Sequence, residues 1–376
     1  MSTLFEHARK LDAHGQVDDF WMLVDGDTII SVGSGQAPRE HNRIDVGGRW
    51  LLPGFMDLHG HGGGGFAYDD GPEAIAGALA VHRAHGTTRS VISLVANPVA
   101  TLRSSLARIA DLADADPLVL GSHLEGPFLS PVFPGAHHTG FLLEPSPATV
   151  EELLEAARGT LRQITIAPEL PNALESIDVL VEAGVVVAVG HTNADFDTTR
   201  EAFDRGARIV THAFNAMPGI HHRAPGPLVA AFEDGRVTIE LILDGQHVHP
   251  DVASMVFASA PGRVALITDA MAAAGSGDGE YSLGSLDVSV LDGVARLRGT
   301  ETIAGSTLTQ DAALRLAIGR TGLAPEAAVK ALTLTPARAL GLHHRHGLLA
   351  PGFAADAVLL DHAWGVSEVW ANGLRF

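Results

Sequence analysis

The chain has no cysteine. It can form no disulfide, bind no metal through thiolate and use no cysteine nucleophile, and a cytoplasmic setting fits that absence. Lysine is almost as scarce, occurring only at Lys10 and Lys330. No suitably placed lysine completes a P-loop. Neither lysine falls in an expected strand, which removes a metal pair bridged by a modified lysine. No G-x-S-x-G nucleophile elbow is present. Long apolar runs are missing too. The most apolar stretch, 179–189, is interrupted by Glu182 and Gly184 and falls short of the ~20 residues that span a bilayer. Glu6, His7, Arg9 and Lys10 stand where a secretory signal needs an apolar core, so neither a signal peptide nor a membrane is expected. Positive charge is in deficit: 25 basic residues against 44 acidic ones give a net charge of −19. That balance argues against a nucleic-acid partner. It leaves room for a small anionic substrate, because charges beyond a Debye length of ~8 Å are largely screened, but such a substrate needs its own local basic pocket.

Hydrophobic residues make up 46% of the 376, and glycine contributes 42. Such a chain can build one large α/β barrel plus a small satellite domain, with glycine serving the tight turns. Short, partly β-branched apolar runs bounded by Gly, Pro or a charge read as buried strands at 51–58, 88–94, 118–122, 163–167, 185–189, 208–210, 237–243 and 264–268. Helical patterns follow most of them, at 72–85, 149–158, 173–183 and 195–205, with two more at 309–320 and 325–340. Residues 280–298 read as an inserted hairpin around Asp292-Gly293. The alternation predicts an α/β fold, a (β/α)8 TIM-like barrel. At the chain ends, 20–33 alternates around Asp25-Gly26, 44–52 continues as a strand, and 352–360 and 368–374 look similar. Neither end alone carries enough strands to be stable. Both are therefore expected to join one small composite β-sandwich domain, with residues 1–50 and 345–376 in it and 51–344 in the barrel.

Polar groups stand just past the ends of these strands. His59 and His61 follow the first run, and two residues at i and i+2 of a strand point to one face, so both imidazoles can reach one metal. Glu125, in HLEGPF, has apolar neighbours and a Gly-Pro after it; a buried glutamate needs a partner, and a metal is one. His191 in VGHTNA and His212 in THAFNAM each end an apolar strand. Alone, either fits a core histidine bonded to a backbone carbonyl. Together, at corresponding ends of successive strands, they point to a hydrolytic metal centre. Asp269 in LITDAM ends the last strand. It could cap the next segment. Across a barrel mouth from a metal it would instead take the proton of water, whose pKa a metal lowers to near ~7, and pass it to a leaving amine.

An anion pocket is expected on the loops after the late strands. FNAMPGIHHRAPGPL carries His221, His222 and Arg223, and DGQH ends in His247. Backbone N–H groups around Asn215 and Ala216 add donors. GAHH, after Glu125, places His137 or His138 where either can cover the pocket.

The segments HLEGPF, GAH, GHTNA, THAFNAM, HRAPG, LDGQH and LITDAM, in this order, resemble the N-acetylglucosamine-6-phosphate deacetylase family of the amidohydrolase superfamily. The resemblance covers essentially the whole chain. It implies a homodimer and a divalent metal, one or two ions per subunit, zinc before iron, manganese or cobalt. Glu125, His191 and His212 match ligands shared by all members; His59 and His61 match a pair that lets a second ion bind. Asp269 matches the acid/base and His137 the histidine on the acetamide carbonyl. Ala136, Asn215, Ala216, Arg223 and His247 match substrate contacts, and the Arg and His can come from the neighbouring subunit. Two places depart from the family's pattern: Val132-Phe133-Pro134 replaces a segment that often holds a basic residue, and Ala224 replaces an acidic one. The implied reaction is removal of the acetyl group from N-acetylglucosamine 6-phosphate. The alternatives are another N-acylated substrate, such as N-acetylgalactosamine 6-phosphate, or a non-catalytic barrel that binds sugar phosphate.

Overall fold

The computed structural model describes residues 2–39 and 42–376. Eight parallel strands form one curled sheet: Phe55–Asp57 (β1), Thr87–Leu94 (β2), Val119–Glu125 (β3), Leu161–Ile166 (β4), Val186–Val189 (β5), Ile209–Val210 (β6), Thr238–Ile242 (β7) and Val264–Ile267 (β8). Each pairs with the next in chain order. The strands are buried on both faces, which is why they read as nearly unbroken apolar runs. The seam between β1 and β8 closes through residues at and just beyond the strand ends. Thr268 Oγ1 donates to Asp57 at 2.6 Å, and the Asp269 N–H donates to the His59 carbonyl at 2.8 Å.

One helix follows each strand: Pro72–Ala84, Val99–Ala115, Pro147–Ala157, Ala173–Glu182, Phe196–Asp204, Gly226–Glu233, Pro250–Ser259 and Gln310–Arg320. Their starts carry ordinary start signals. Asp195 accepts from the Thr198 N–H at 2.8 Å, Ser146 accepts from that of Thr149, and several helices begin on proline. The expected helix at 325–340 is two helices, Pro325–Leu332 and Leu334–Ala339. Pro336 has no N–H to offer the Leu332 carbonyl, so an unbroken helix would lose that bond and clash with the ring.

The run 51–58, expected as one barrel strand, is two. Trp50–Pro53 belongs to the end sheet and β1 to the barrel. Gly54 makes the transition where the chain presses on Thr88; a Cβ there would lie 2.2 Å from Thr88 Oγ1. Hydrophobicity alone could not show the switch, because both sheets bury the segment.

Strands from both chain ends share one sheet. Its order is Leu374–Arg375, Val366–Ala371, Ala357–Leu360, Trp50–Pro53, Ser2–Asp12, Gly15–Asp25 and Thr28–Ser34, with Arg43–Asp45 also paired to Ser2–Asp12. Ser2–Asp12 shifts register around His7, which has φ 54°. Such bulges bend a strand. The sheet curls far enough for Phe5 and Trp370, from strands separated by two others, to meet edge to face at 5.0 Å. The inserted hairpin gains a third strand: Gly279–Leu283, Leu286–Leu291 and Val294–Leu297 form an antiparallel sheet packed on Val95, Met271 and Ala304. No helix among the described residues is long and apolar enough to cross a membrane.

The barrel and the end sheet are tied by Arg89 of β2. Its guanidinium is buried and holds both oxygens of Asp356, at 2.7 and 3.0 Å. Asp356→Ala would leave that charge buried without its counter-charge, a change that typically costs about 3–5 kcal/mol. Urea unfolding should show a loss of that size; a loss below about 1 kcal/mol would mean that water reaches Arg89 and the pair is not a structural tie.

Candidate functional site

The C-terminal mouth of the barrel opens into a cavity of about 480 Å³. Its floor is Glu125, the last residue of β3, 4% exposed. Glu125 Oε1 lies 3.0 Å from His191 Nε2 and 3.0 Å from His212 Nε2, and those two nitrogens are 3.0 Å apart. Glu125 Oε2 lies 3.0 Å from His61 Nε2, and His61 Nε2 lies 3.1 Å from His59 Nε2. Asp269 Oδ1 completes that side, 3.3 Å from His61 and 3.5 Å from His59. Two groups of converging ligand atoms result: His59, His61, Glu125 and Asp269, and Glu125, His191 and His212. All are buried.

Backbone conformation aims these side chains. His191, His212 and Asp269 have φ of 45°, 27° and 48°, as do Phe214 and Ala216 at 75° and 49°. Non-glycine residues held at positive φ typically cost about 1–3 kcal/mol each and gather at functional sites. The strain turns the chain sharply where each strand ends, so that the polar side chain points into the cavity. Gly135, at φ 56°, lets the 133–137 loop close over the cluster; a Cβ there would meet His191 Cε1 at 2.7 Å.

Hydrogen bonds assign two tautomers. His191 Nδ1 faces the Phe133 carbonyl at 3.1 Å, and a carbonyl only accepts. Nδ1 is therefore the N–H, and Nε2 turns a lone pair toward Glu125. Two acceptors at 3.0 Å repel unless a cation lies between them, which is the arrangement a divalent ion satisfies. His137 is the opposite case. The Ala96 N–H donates to its Nδ1 at 3.2 Å, so its Nε2 carries the proton and faces the cavity floor as a donor, 3.3 Å from Glu125 Oε2.

Charge keeps the cluster ionised. Burial resists ionisation of Glu125, but the imidazoles of His59, His137 and His191 outweigh it and hold the carboxyl well below its usual range. Burial opposes a charge on His61 as well, yet Asp269 and Glu125 raise it to about 9. Without a cation the cluster thus holds protons in its place, and metal binding must release them.

Asn215, Ala216, His247 and Ala136 line the cavity wall. Asp244 Oδ2 accepts from His247 Nδ1 at 2.7 Å; burial works against the imidazolium, but this bond raises the histidine above its usual range. Leu283 of the inserted sheet, with Thr302 and Ile303 just after that sheet, completes the wall together with Val132, Phe133 and Pro134. Arg223 is elsewhere. It is exposed, with Nη1 against His222 Nε2 at 2.8 Å, and it does not line the cavity within the single chain. His138 is also outside, exposed and stacked on Phe141 at 4.5 Å.

Sequence reasoning missed the layer beneath. His123 bridges Ser93 Oγ and Thr165 Oγ1, both at 2.9 Å. Glu240, 0% exposed, sits behind His59. A charged residue in the middle of the apolar segment TIELI was the available signal.

The Amidohydrolase family profile matches residues 50–373. Among curated proteins, the chain is 37% identical over 378 residues to the N-acetylgalactosamine-6-phosphate deacetylase of Escherichia coli O157:H7, covering 99% of both. It is 36% identical to the human N-acetylglucosamine-6-phosphate deacetylase, over 88% of this chain and 84% of that one. Among solved structures, an aspartate-to-alanine mutant of the N-acetyl-D-glucosamine-6-phosphate deacetylase of Mycobacterium smegmatis, in complex with N-acetyl-D-glucosamine-6-phosphate, superposes with a TM-score of 0.95 at 43% identity. That match covers 100% of this chain and 98% of the other.

A ligand that binds only the folded state stabilises it by RT ln(1 + [L]/Kd), about 2.7 kcal/mol at a hundredfold excess over Kd. Metal-stripped protein should therefore gain roughly that much against urea for each divalent ion restored. An unfolding midpoint indifferent to zinc, manganese and cobalt would rule out a metal at this cluster.

Proposed function

Since the chain belongs to the amidohydrolase family and groups with its N-acetylglucosamine-6-phosphate deacetylases, we propose that it hydrolyses the acetamide of N-acetylglucosamine 6-phosphate to glucosamine 6-phosphate and acetate. The observation that carries this reading is the presence, in one cavity, of a carboxylate at Asp269, an N–H donor at His137 Nε2 and a ligand cluster on Glu125.

Glu125, His191 and His212 would hold one divalent ion, and His59, His61 and a shared Glu125 a second; zinc suits this set of imidazole and carboxylate donors. Bound there, it supplies Lewis acidity, polarising a carbonyl and lowering the pKa of water. Asp269 accepts the proton of the attacking water as oxygen joins the acetyl carbon. It then delivers that proton to the sugar nitrogen as the C–N bond breaks, and acetate leaves. His137 Nε2–H donates to the acetyl oxygen as it gains negative charge, a contribution of about 2.7–4 kcal/mol for comparable donors. His247, Asn215, Ala216 and Ala136 hold the sugar phosphate, the first through a ring whose positive charge the Asp244 carboxylate favours. Phosphorylated sugars do not cross membranes unaided, which supports a reaction in the cytoplasm. The barrel and its site fall within 51–344, apart from residues 51–53 of the end sheet, with 1–50 and 345–376 as the supporting domain.

One observation favours a second reading. The relative at 37% identity is named for the galactosamine epimer. Acetate release from N-acetylglucosamine 6-phosphate, N-acetylgalactosamine 6-phosphate and unphosphorylated N-acetylglucosamine decides between them. The expected order of kcat/KM follows that sequence of substrates; preference for the second would transfer the assignment to the epimer, and none turned over would end both. Asp269→Asn in the same assay should keep its metal and lose turnover, by at least the ~100-fold that a general acid–base typically supplies.

Arg223 lies outside the cavity of its own chain, which supports a homodimer in which it reaches the neighbour's phosphate site. Losing a charge-assisted hydrogen bond of about 1.5–3 kcal/mol predicts a roughly 10- to 150-fold fall in kcat/KM for Arg223→Ala. In mixed dimers of Arg223→Ala with Asp269→Asn chains, one site would carry both lesions and the other neither. Activity should reappear on mixing. Its absence in demonstrated mixed dimers would place Arg223 in its own subunit's site.

A further inference from the structure

Glu240 stands in the middle of β7 with 0% exposure, inside the barrel and below the cluster. Two contacts define it. Its Oε2 faces His59 Nδ1 at 3.4 Å, and its Oε1 accepts from Gln163 Nε2 at 2.8 Å. Both cross the lumen: Gln163 is on β4, three strands from β7, and His59 follows β1, on the far side of β8. A buried carboxylate is expensive without a cation or several donors. Had the interior only needed a polar filler to meet Gln163, a neutral amide or hydroxyl would have served at lower cost.

The four imidazoles of the cluster differ on the side turned away from it. His191 donates to a carbonyl, while His61 Nδ1 and His212 Nδ1 have no hydrogen-bond partner among the described residues. His59 faces a carboxylate. A carboxylate on the outer nitrogen fixes a ligating imidazole's tautomer and orientation and makes its inner nitrogen a stronger donor.

We propose that Glu240 is a positioning residue of the metal centre: it takes the Nδ1–H of His59, turns that ring's Nε2 lone pair toward His61 and Glu125, and sets the affinity of the ion that His59 and His61 share. This rests on the reading of His59 and His61 as ligands. Gln163 anchors the carboxylate from its other side. Its own Oε1 is buried without a hydrogen-bond partner among the described residues, so its amide can flip to meet a glutamine at 240. Glu240→Gln therefore keeps the shape and an accepting oxygen and removes only the charge; Glu240→Leu removes both.

The test is zinc binding to the metal-stripped full chain, by calorimetry with metal analysis, for wild type, Glu240→Gln, Glu240→Leu and His59→Ala. Wild type should bind two ions. Second-ion affinity should fall roughly 10- to 100-fold in Glu240→Leu and roughly 3- to 10-fold in Glu240→Gln, as removal of such outer partners typically does. The first ion, on Glu125, His191 and His212, should stay within about threefold of wild type, a separation that a general loss of structure would not give. Two ions held as tightly in the Glu240 variants as in wild type would overturn the role of Glu240 and leave the ligand reading standing. Equal weakening of both ions would overturn it too, as mere loss of packing. A second ion that persists in His59→Ala would refute the ligand reading itself, and the proposal with it. If Glu240→Leu does not fold, Glu240→Gln decides alone.

Discussion

The carboxylate of Glu125 is the constraint around which the rest is arranged. It sits on the floor of the cavity at 4% exposure, and both oxygens are committed to imidazole nitrogens at 3.0 Å. A carboxylate so placed needs positive charge beside it, and protonated histidines or divalent ions are the two ways to supply it. His59, His61, His137, His191 and His212 come from four separate stretches of chain to meet it. Their convergence requires the barrel to be closed and its strand ends level, since an error of about 1 Å would part ligand from ligand.

Stability elsewhere offsets the cost of this arrangement. His191, His212 and Asp269 sit at positive φ, and a layer of polar side chains replaces apolar packing in the upper barrel: Ser93, His123, Gln163, Thr165, Thr211 and Glu240. Each of these is hydrogen-bonded to another side chain of the barrel interior, such as Thr165 to Thr211 at 2.9 Å. The helix-facing sides of the same strands stay apolar, with Ile164, Ile166, Val187 and Leu241 in the main core. A rigid apolar shell thus holds a polar interior in one geometry, as an active site that must be preorganised requires.

The cavity wall has a different character. Its residues come from loops and from the inserted three-stranded sheet, which touches the barrel through Val95 and Met271. Thr302, Ile303 and Val132 line this wall, and the Phe133 carbonyl holds His191 Nδ1 at 3.1 Å. Loops of this kind are where binding specificity resides in barrels of this fold, whereas the ligand cluster stands at the strand ends.

The sequence by itself determined the fold class and pointed to most of the residues that converge in the candidate site. Period and punctuation located the eight barrel strands, because buried parallel strands are apolar throughout and end abruptly. His59, His61, Glu125, His191, His212 and Asp269 were legible because a histidine or carboxylate at the end of such a run is out of place unless it has a partner. Three-dimensional packing alone decided the rest. It split 51–58 between two sheets, since burial looks the same in both. It divided 325–340 at Thr333, where Pro336 forbids the helix to continue. It protonated His137 at Nε2 and His191 at Nδ1, because a tautomer is fixed by whichever backbone group lies opposite. It left Arg223 outside the cavity of its own chain. And it set Glu240 against His59, 181 residues away, a contact that exists only once the barrel has brought its opposite walls together.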